Sequence, residues 1–159
     1  MIRFSDIAGN PVMDTASALT VGRVGSLVVD PAARRVVALG VRKSKGPGDT
    51  LPWDGIAAIG PDAVTVDSEQ RIADAPGELR RQASLGEKLI GHRVLDDHGR
   101  ELGHVRDVEF DPRDGSVVTL ILKDAYVDGA RLLGLGSYAV VVRALAPSDS
   151  MPDTVPDRA

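Results

Sequence analysis

The sequence predicts an all-β protein built of two small, partly open β-barrels in tandem. Three observations carry that expectation: an internal repeat, period-two alternation of branched apolar residues, and turn chemistry between the alternating runs. Residues 22–42 read GRVGSLVVDPAARRVVALGVR and residues 103–123 read GHVRDVEFDPRDGSVVTLILK, aligned without a gap at an offset of 81. Gly22, Val24, Asp30, Pro31, Val36, Val37 and Leu39 recur as Gly103, Val105, Asp111, Pro112, Val117, Val118 and Leu120. A repeat of this kind is one supersecondary unit used twice, and it sets the architecture before any single motif does.

The repeat continues on both sides. GNPVMD at 9–14 matches GHRVLD at 91–96 at an offset of 82, and IGPDAVTV at 59–66 matches LGSYAVVV at 135–142 at an offset of 76. The connection between Arg42 and Gly60 is thus five residues longer than the one between its counterparts Lys123 and Gly136. Equivalent strands with unequal loops are expected, because loop length costs little free energy.

Each element has its own warrant. The strand through Val24, Leu27 and Val29, and its twin through Val105, Val108 and Phe110, step by three residues and then by two. One extra residue at the same place in both predicts a β-bulge near Gly25–Ser26 and Arg106–Asp107, which bends the strand as a small barrel requires. Arg35–Arg42 alternates with Val37, Leu39 and Val41 on one face, and Ser116–Lys123 with Val118, Leu120 and Leu122, the pattern of half-buried strands. Asp30-Pro31 and Asp111-Pro112 set a side-chain acceptor before a fixed φ and so start tight turns. Asp96-Asp97-His98-Gly99 reads as a hairpin loop, and Lys45-Gly46-Pro47-Gly48-Asp49 as a flexible loop of the first copy alone.

The expected organisation is a first barrel over 1–75, a linker over 76–83 with one helical turn after Pro76, a second barrel over 84–146 and a disordered tail over 147–159. The tail is marked by three Pro and three Asp among few apolar residues. Each copy is near the lower size limit for a self-sufficient core, so the two are expected to lean on each other or on a second chain.

Composition narrows the function classes. Aromatics are 3% of the 159 residues, so the core is built from Val, Leu, Ile and Ala. The absence of Cys excludes disulfides, zinc–thiolate sites and thiol nucleophiles. No apolar run approaches the ~20 residues of a membrane span, and no secretory signal is visible at the N-terminus, so a cytoplasmic location is expected. The net charge of −4 is spread, with −1 over residues 1–75 and −2 over 84–146. Neither half has the basic excess of a nucleic-acid binder.

The string GHRVLDDHGRELGHVRDVEFDPRDGSVVTLILK resembles the PRC-barrel family. Its pattern is Gly-x-x-Val-x-Asp, then Gly-x-Val-x-x-Val-x-Phe-Asp, then a short turn into Val-x-x-Leu. LPWDGIAAIGPDAVTV of the first copy resembles the family's closing segment, through Leu51, Pro52, Ile56, Ile59, Gly60, Asp62, Val64 and Val66. The resemblance covers about 140 residues as a tandem pair. It implies a six-strand, partly closed barrel that binds other macromolecules, as in the reaction-centre H subunit and the C-terminal domain of a ribosome maturation factor. The transmembrane helix of the former and the different N-terminal domain of the latter are not seen in this sequence. The family's recurring positions are structural Gly, Val, Leu and Asp, so the resemblance brings no catalytic residue.

Candidate chemistry is sparse. His92, His98 and His104 offer imidazoles to a metal, but they fall before a strand, in a hairpin turn and at a strand start, and read as scattered and exposed. Asp96, Asp97, Asp111 and Asp114 lack the alternate oxygen spacing and distal Glu of a Ca²⁺ loop and read as turn formers. Gly22-Arg23-Val24-Gly25 lacks the spacing of a dinucleotide loop, and Lys45-Gly46-Pro47-Gly48 lacks the closing Gly-Lys-Ser/Thr of a phosphate loop. Glu87, Glu101 and Glu109 are isolated carboxylates. No nucleophile elbow is visible. No catalytic residue, metal or cofactor is therefore expected.

Two surface features stand out. Arg34, Arg35, Arg42, Lys43 and Lys45, with Arg80-Arg81 further on, form the best basic cluster, without an aromatic stacking platform. Ile121, Tyr126, Val127, Leu132 and Leu133 surround a shortened connection, too many apolar groups for so small a barrel, and are the candidate interface. Around Asp124–Leu133 the second copy departs from the pattern, at the fourth strand, so its barrel is expected to be completed by a partner or by its twin. The expected function is non-catalytic protein binding, as an adaptor or a self-associating homo-oligomer. The alternatives are an RNA- or ribosome-associated factor and a small-ligand sensor using the cleft between barrels.

Overall fold

A computed structural model describes residues 1–145; the expected tail over 147–159 lies outside the described residues. The first copy opens with β1 (Ile2–Arg3) and the single-turn helix α1 (Phe4–Ile7). Six strands follow: β2 (Pro11–Asp14), β3 (Leu19–Asp30), β4 (Arg35–Arg42), β5 (Thr50–Pro52), β6 (Ala58–Ile59) and β7 (Val64–Val66). Helix α2 (Gly77–Gly86) leads into the second copy, formed by β8 (Arg93–Asp96), β9 (Glu101–Phe110), β10 (Val117–Leu122), β11 (Tyr126–Asp128), β12 (Leu132–Leu135) and β13 (Val140–Val142).

The two sheets have one topology. Their orders are β5-β4-β3-β2-β7-β6 and β11-β10-β9-β8-β13-β12, with β2–β7 and β8–β13 the parallel pairs. The expected bulges are present. Val24 pairs Val41 and Ser26 pairs Gly40, leaving Gly25 over; Val105 pairs Leu122 and Asp107 pairs Ile121, leaving Arg106 over. A second irregularity escaped the sequence reading. Val37 and Val118 are also left over, so Val36 and Val117 turn into the core in their place.

Two further expectations are corrected. The linker holds a ten-residue helix rather than one turn. Gly86 lets its last turn press on the first barrel, since a Cβ there would lie 2.6 Å from the Leu27 carbonyl oxygen. The fourth strand of the second copy is present: β11 pairs with β10, and a 3₁₀ turn over Gly129–Arg131 stands where Trp53–Gly55 stands in the first copy.

A local two-fold relates the copies. Arg35 and Ser116 occupy the same repeat position and face each other across an antiparallel bridge. Val36 N–H donates to the Gly115 carbonyl at 2.7 Å, and its twin Val117 N–H donates to the Arg34 carbonyl at 2.9 Å. Each copy also lends its leading segment to the other. β1 pairs with β9 and α1 packs on it, while α2 packs on β3. One apolar cluster runs through both barrels, from Val12, Val24 and Leu39 to Val94, Val108 and Phe110. At roughly 25 cal/mol per Å² of apolar burial, sharing surface lets two undersized cores stabilise each other.

Candidate functional site

The two copies differ most on one outer face. Strands β3, β4 and β5 present Ser26 and Val28, Ala38 and Gly40, and Thr50 and Pro52 as cross-strand neighbours. The matching face of β9, β10 and β11 presents Asp107 and Glu109, Thr119 and Ile121, and Tyr126 and Asp128. In the first copy Val28 and Ala38 are fully buried, because α2 lies across them. In the second copy, among the described residues, only the β9 end is covered. There Ser5 of α1 donates its N–H to Asp107 at 3.1 Å and its hydroxyl to the other carboxylate oxygen. Glu109 accepts from the Thr119 hydroxyl at 3.1 Å, and Asp128 accepts from the Ala130 N–H at 2.9 Å. Ile121 is half-buried and Tyr126 is 71% exposed.

The sheet edge differs in the same way. Leu122 N–H donates to the Ala125 carbonyl at 2.9 Å, so Ile121 and Tyr126 form a non-hydrogen-bonded pair. The Tyr126 N–H and carbonyl therefore point away from β10, and no described residue pairs with that side of β11. In the first copy Thr50 has the same geometry, but its outward groups bond Ala73 at 3.0 and 2.9 Å, and Thr50 is 3% exposed. Ala73 belongs to a strap, residues 72–75, anchored by fully buried Ile72. The long loop of the first copy holds the strap: Gly48 N–H donates to the Ile72 carbonyl at 3.1 Å, and a Cβ on Gly48 would lie 2.1 Å from Ala73 C. The second copy has neither that loop length nor a described strap.

The remaining candidates fall elsewhere. Val127 and Leu132, expected at the interface, are each 2% exposed and belong to the core. They take the repeat positions of Leu51 and Ile56, which face inward once the barrel closes. Ile121, Tyr126 and Leu133 remain at the surface. The basic cluster divides. Arg34 Nε donates to the Leu132 carbonyl at 2.9 Å and Arg35 to the Asp114 carbonyl, so both clamp the seam between barrels. Arg42 and Lys43, with Ser26, Gly40 and Glu87, line a cleft of about 620 Å³ between the first barrel and α2; Lys45 is exposed nearby. A smaller cleft of about 250 Å³ lies at the seam itself, bounded by Ser5, Ser26, Glu87 and Asp107.

The histidines stay apart: His92 Nε2 lies 2.7 Å from the Gly136 carbonyl, and among the described residues no three metal-ligating side chains converge. The aspartates serve the turns. Asp96 accepts N–H groups from His98 and Arg100 at 2.9 Å, and Asp111 accepts one from Arg113 at 2.8 Å. Those donors hold the Asp96 carboxyl below the usual carboxylate range, the Arg100 N–H foremost. The Arg113 guanidinium beside Asp111 holds its carboxyl down at about 2.

Sequence reasoning found Tyr126 and Ile121 but treated Glu109 as isolated and passed over Thr119 and Asp128. The signal was in the repeat: at five of the six matched outer positions the first copy carries Val28, Ala38, Gly40, Thr50 and Pro52, and only a covered face is built that way.

The geometry defines a class, a paired β-barrel scaffold with one outer face sheathed by its own linker and the matching face bare among the described residues. The chain belongs to the PRC-barrel domain family, whose profile matches residues 1–71 and again residues 82–142. PRC-barrel domains are protein-interaction and assembly modules. No curated protein matches the chain. Among the described residues no helix is long and apolar enough to cross a membrane.

Proposed function

We propose that this chain is a non-catalytic protein-binding adaptor that docks its partner on the outer face and free edge of the second barrel, around Ile121 and Tyr126. One observation carries the reading: Thr50 and Tyr126 hold the same position in the two copies, and Thr50 is 3% exposed under paired backbone while Tyr126 is 71% exposed beside an edge that no described residue pairs. A strand edge with outward N–H and carbonyl groups is a template for β-strand addition. An exposed Tyr beside a half-buried Ile supplies the kind of anchor that dominates interface energetics. Family membership supports the same class of role. RNA binding finds less support, since Arg34 and Arg35 are committed to the seam and the bare face carries carboxylates.

The test is co-purification from the source cells with nuclease treatment, comparing the wild type with an Ile121→Thr/Tyr126→Thr double variant. Thr keeps the strand preference while removing the apolar anchors. The reading expects a nuclease-resistant protein partner enriched by the wild type and lost from the variant. Equal recovery of the same proteins by both would refute it.

A further inference from the structure

We infer that the occupant of the bare face is a basic strand-then-helix segment of another protein, seated as residues 72–86 of this chain are seated on the first barrel. The inference rests on the docking reading above and adds the partner's chemistry and binding mode.

The first barrel supplies the template. Its cover begins as an extended strap whose Ala73 pairs with the outward groups of Thr50. The chain then turns at Pro76 into α2, which crosses the outer face and ends with Gly86 against Leu27 and Val28. Edge and face are thus satisfied by one continuous segment. The second barrel offers the same outward backbone pair at Tyr126 and the same outer face, with α1 confined to its Asp107 corner. Among the described residues the uncovered part is the β10–β11 half, extending to Glu109, which has Arg3 of β1 as its neighbour on the side away from Thr119.

The side chains decide which segment fits. α2 rests on Val28 and Ala38, which are small and uncharged; their counterparts are Glu109 and Thr119, and Asp128 replaces Pro52. A helix laid across that surface places Lys or Arg over Glu109 and Asp128, and an apolar side chain against Ile121 and Tyr126. The other occupants fit worse on charge. Residues 146–159 carry Asp149, Asp153 and Asp157 against Arg158 alone, the wrong sign of charge for that face. A second copy docked face to face brings Glu109 and Asp128 against their own kind, in a chain of net charge −4. Oppositely charged complementarity selects partners and like-charge contact excludes them.

The test is selection of random peptides of about 20 residues on the immobilised full chain, long enough for a strand plus a short helix. Selected peptides are then examined by binding titration and by amide exchange at Tyr126. The inference expects sequences rich in Lys and Arg that slow Tyr126 exchange. Their binding should fall by at least about tenfold in the Ile121→Thr/Tyr126→Thr variant, the loss of one hot-spot anchor. It should also fall severalfold in Glu109→Gln/Asp128→Asn, which keeps the hydrogen bonds to Thr119 and Ala130 while removing charge. Acidic or uncharged peptides that protect Tyr126 would overturn the inference and leave the docking reading intact. Peptides that leave Tyr126 unprotected, or no selected peptide at all, would overturn both. A dimer abolished by the Thr double variant would put a second copy on the face. Ligands appearing only after removal of residues 146–159 would put the chain's own terminus there. Either result overturns the inference.

Discussion

Replacing Phe110 by alanine should lower the stability of both barrels together. Phe110 is fully buried at the end of β9, paired with Ile2 of β1 on one side and Val117 of β10 on the other. Its ring meets Trp53 of the first barrel edge-on, with centroids 6.3 Å apart and an interplanar angle of 78°. Truncating a buried Phe to Ala costs about 3–5 kcal/mol through lost transfer energy and the cavity left behind. For a chain of this size each kcal/mol moves the Tm by about 2–4 °C, so a fall of roughly 8–16 °C is expected for a cost of about 4 kcal/mol. The assay uses two probes on one melt. Trp53 is the sole Trp and reports from the first barrel, while far-UV circular dichroism reports all strands. The expected result is one transition, shifted equally for both. A Trp53 midpoint left at the wild-type temperature, with a separate lower transition in the dichroism, would refute the shared core.

The other predictions are more local. Gly48→Ala drives a Cβ to within 2.1 Å of Ala73 C and Asp74 N, so the strap must lift from β5; at 0.5–1.5 kcal/mol for each of three backbone hydrogen bonds, roughly 1.5–4.5 kcal/mol is lost, with faster amide exchange at Thr50. The Ile121→Thr/Tyr126→Thr variant should keep a denaturation free energy within about 1 kcal/mol of wild type, since both positions face outward. Asp111 ionises at about 2 in the folded chain against 3.8 for the ordinary carboxyl. Its folded pKa is depressed, so its stabilisation is complete above the unfolded value and is lost as pH falls from about 4 through about 2. Arg113→Ala should flatten that part of the urea-midpoint profile; an unchanged slope would show that the guanidinium does not set it.

Much of the fold was legible in the chain. The step of three then two around Gly25 and Arg106 located the first bulge, because an extra residue must reverse the inside–outside alternation. The Asp-Pro pairs located the turns. The second irregularity at Val37 and Val118 was hidden, because Val36 and Val117 beside them are equally apolar and either register reads as a strand. Helix α2 was hidden for another reason. GELRRQASLG buries only Gly86 fully, and its helical state depends on a surface supplied by Val28 and Ala38 across the chain. Such a helix owes little to propensity and much to packing. The candidate interface was half legible: exposed Tyr126 was found, but Val127 and Leu132 turn inward with the strand that DAYVDGARLL forms despite lacking the LPWDG pattern of its twin. The contrast between Val28 and Glu109, or Ala38 and Thr119, lay in the alignment throughout. It acquires meaning only when pairing shows that these positions share one outer face.

Amide exchange of Thr50 and Tyr126, followed by NMR in one sample of the unbound chain, tests the central claim most directly. The two N–H groups occupy the same position in the two copies, and among the described residues only that of Thr50 has a partner beyond the edge. A slow Thr50 amide and a fast Tyr126 amide, which slows once a partner segment is added, is the result this account predicts. A Tyr126 amide as protected as that of Thr50 in the unbound chain would show the second edge already covered, and would contradict it.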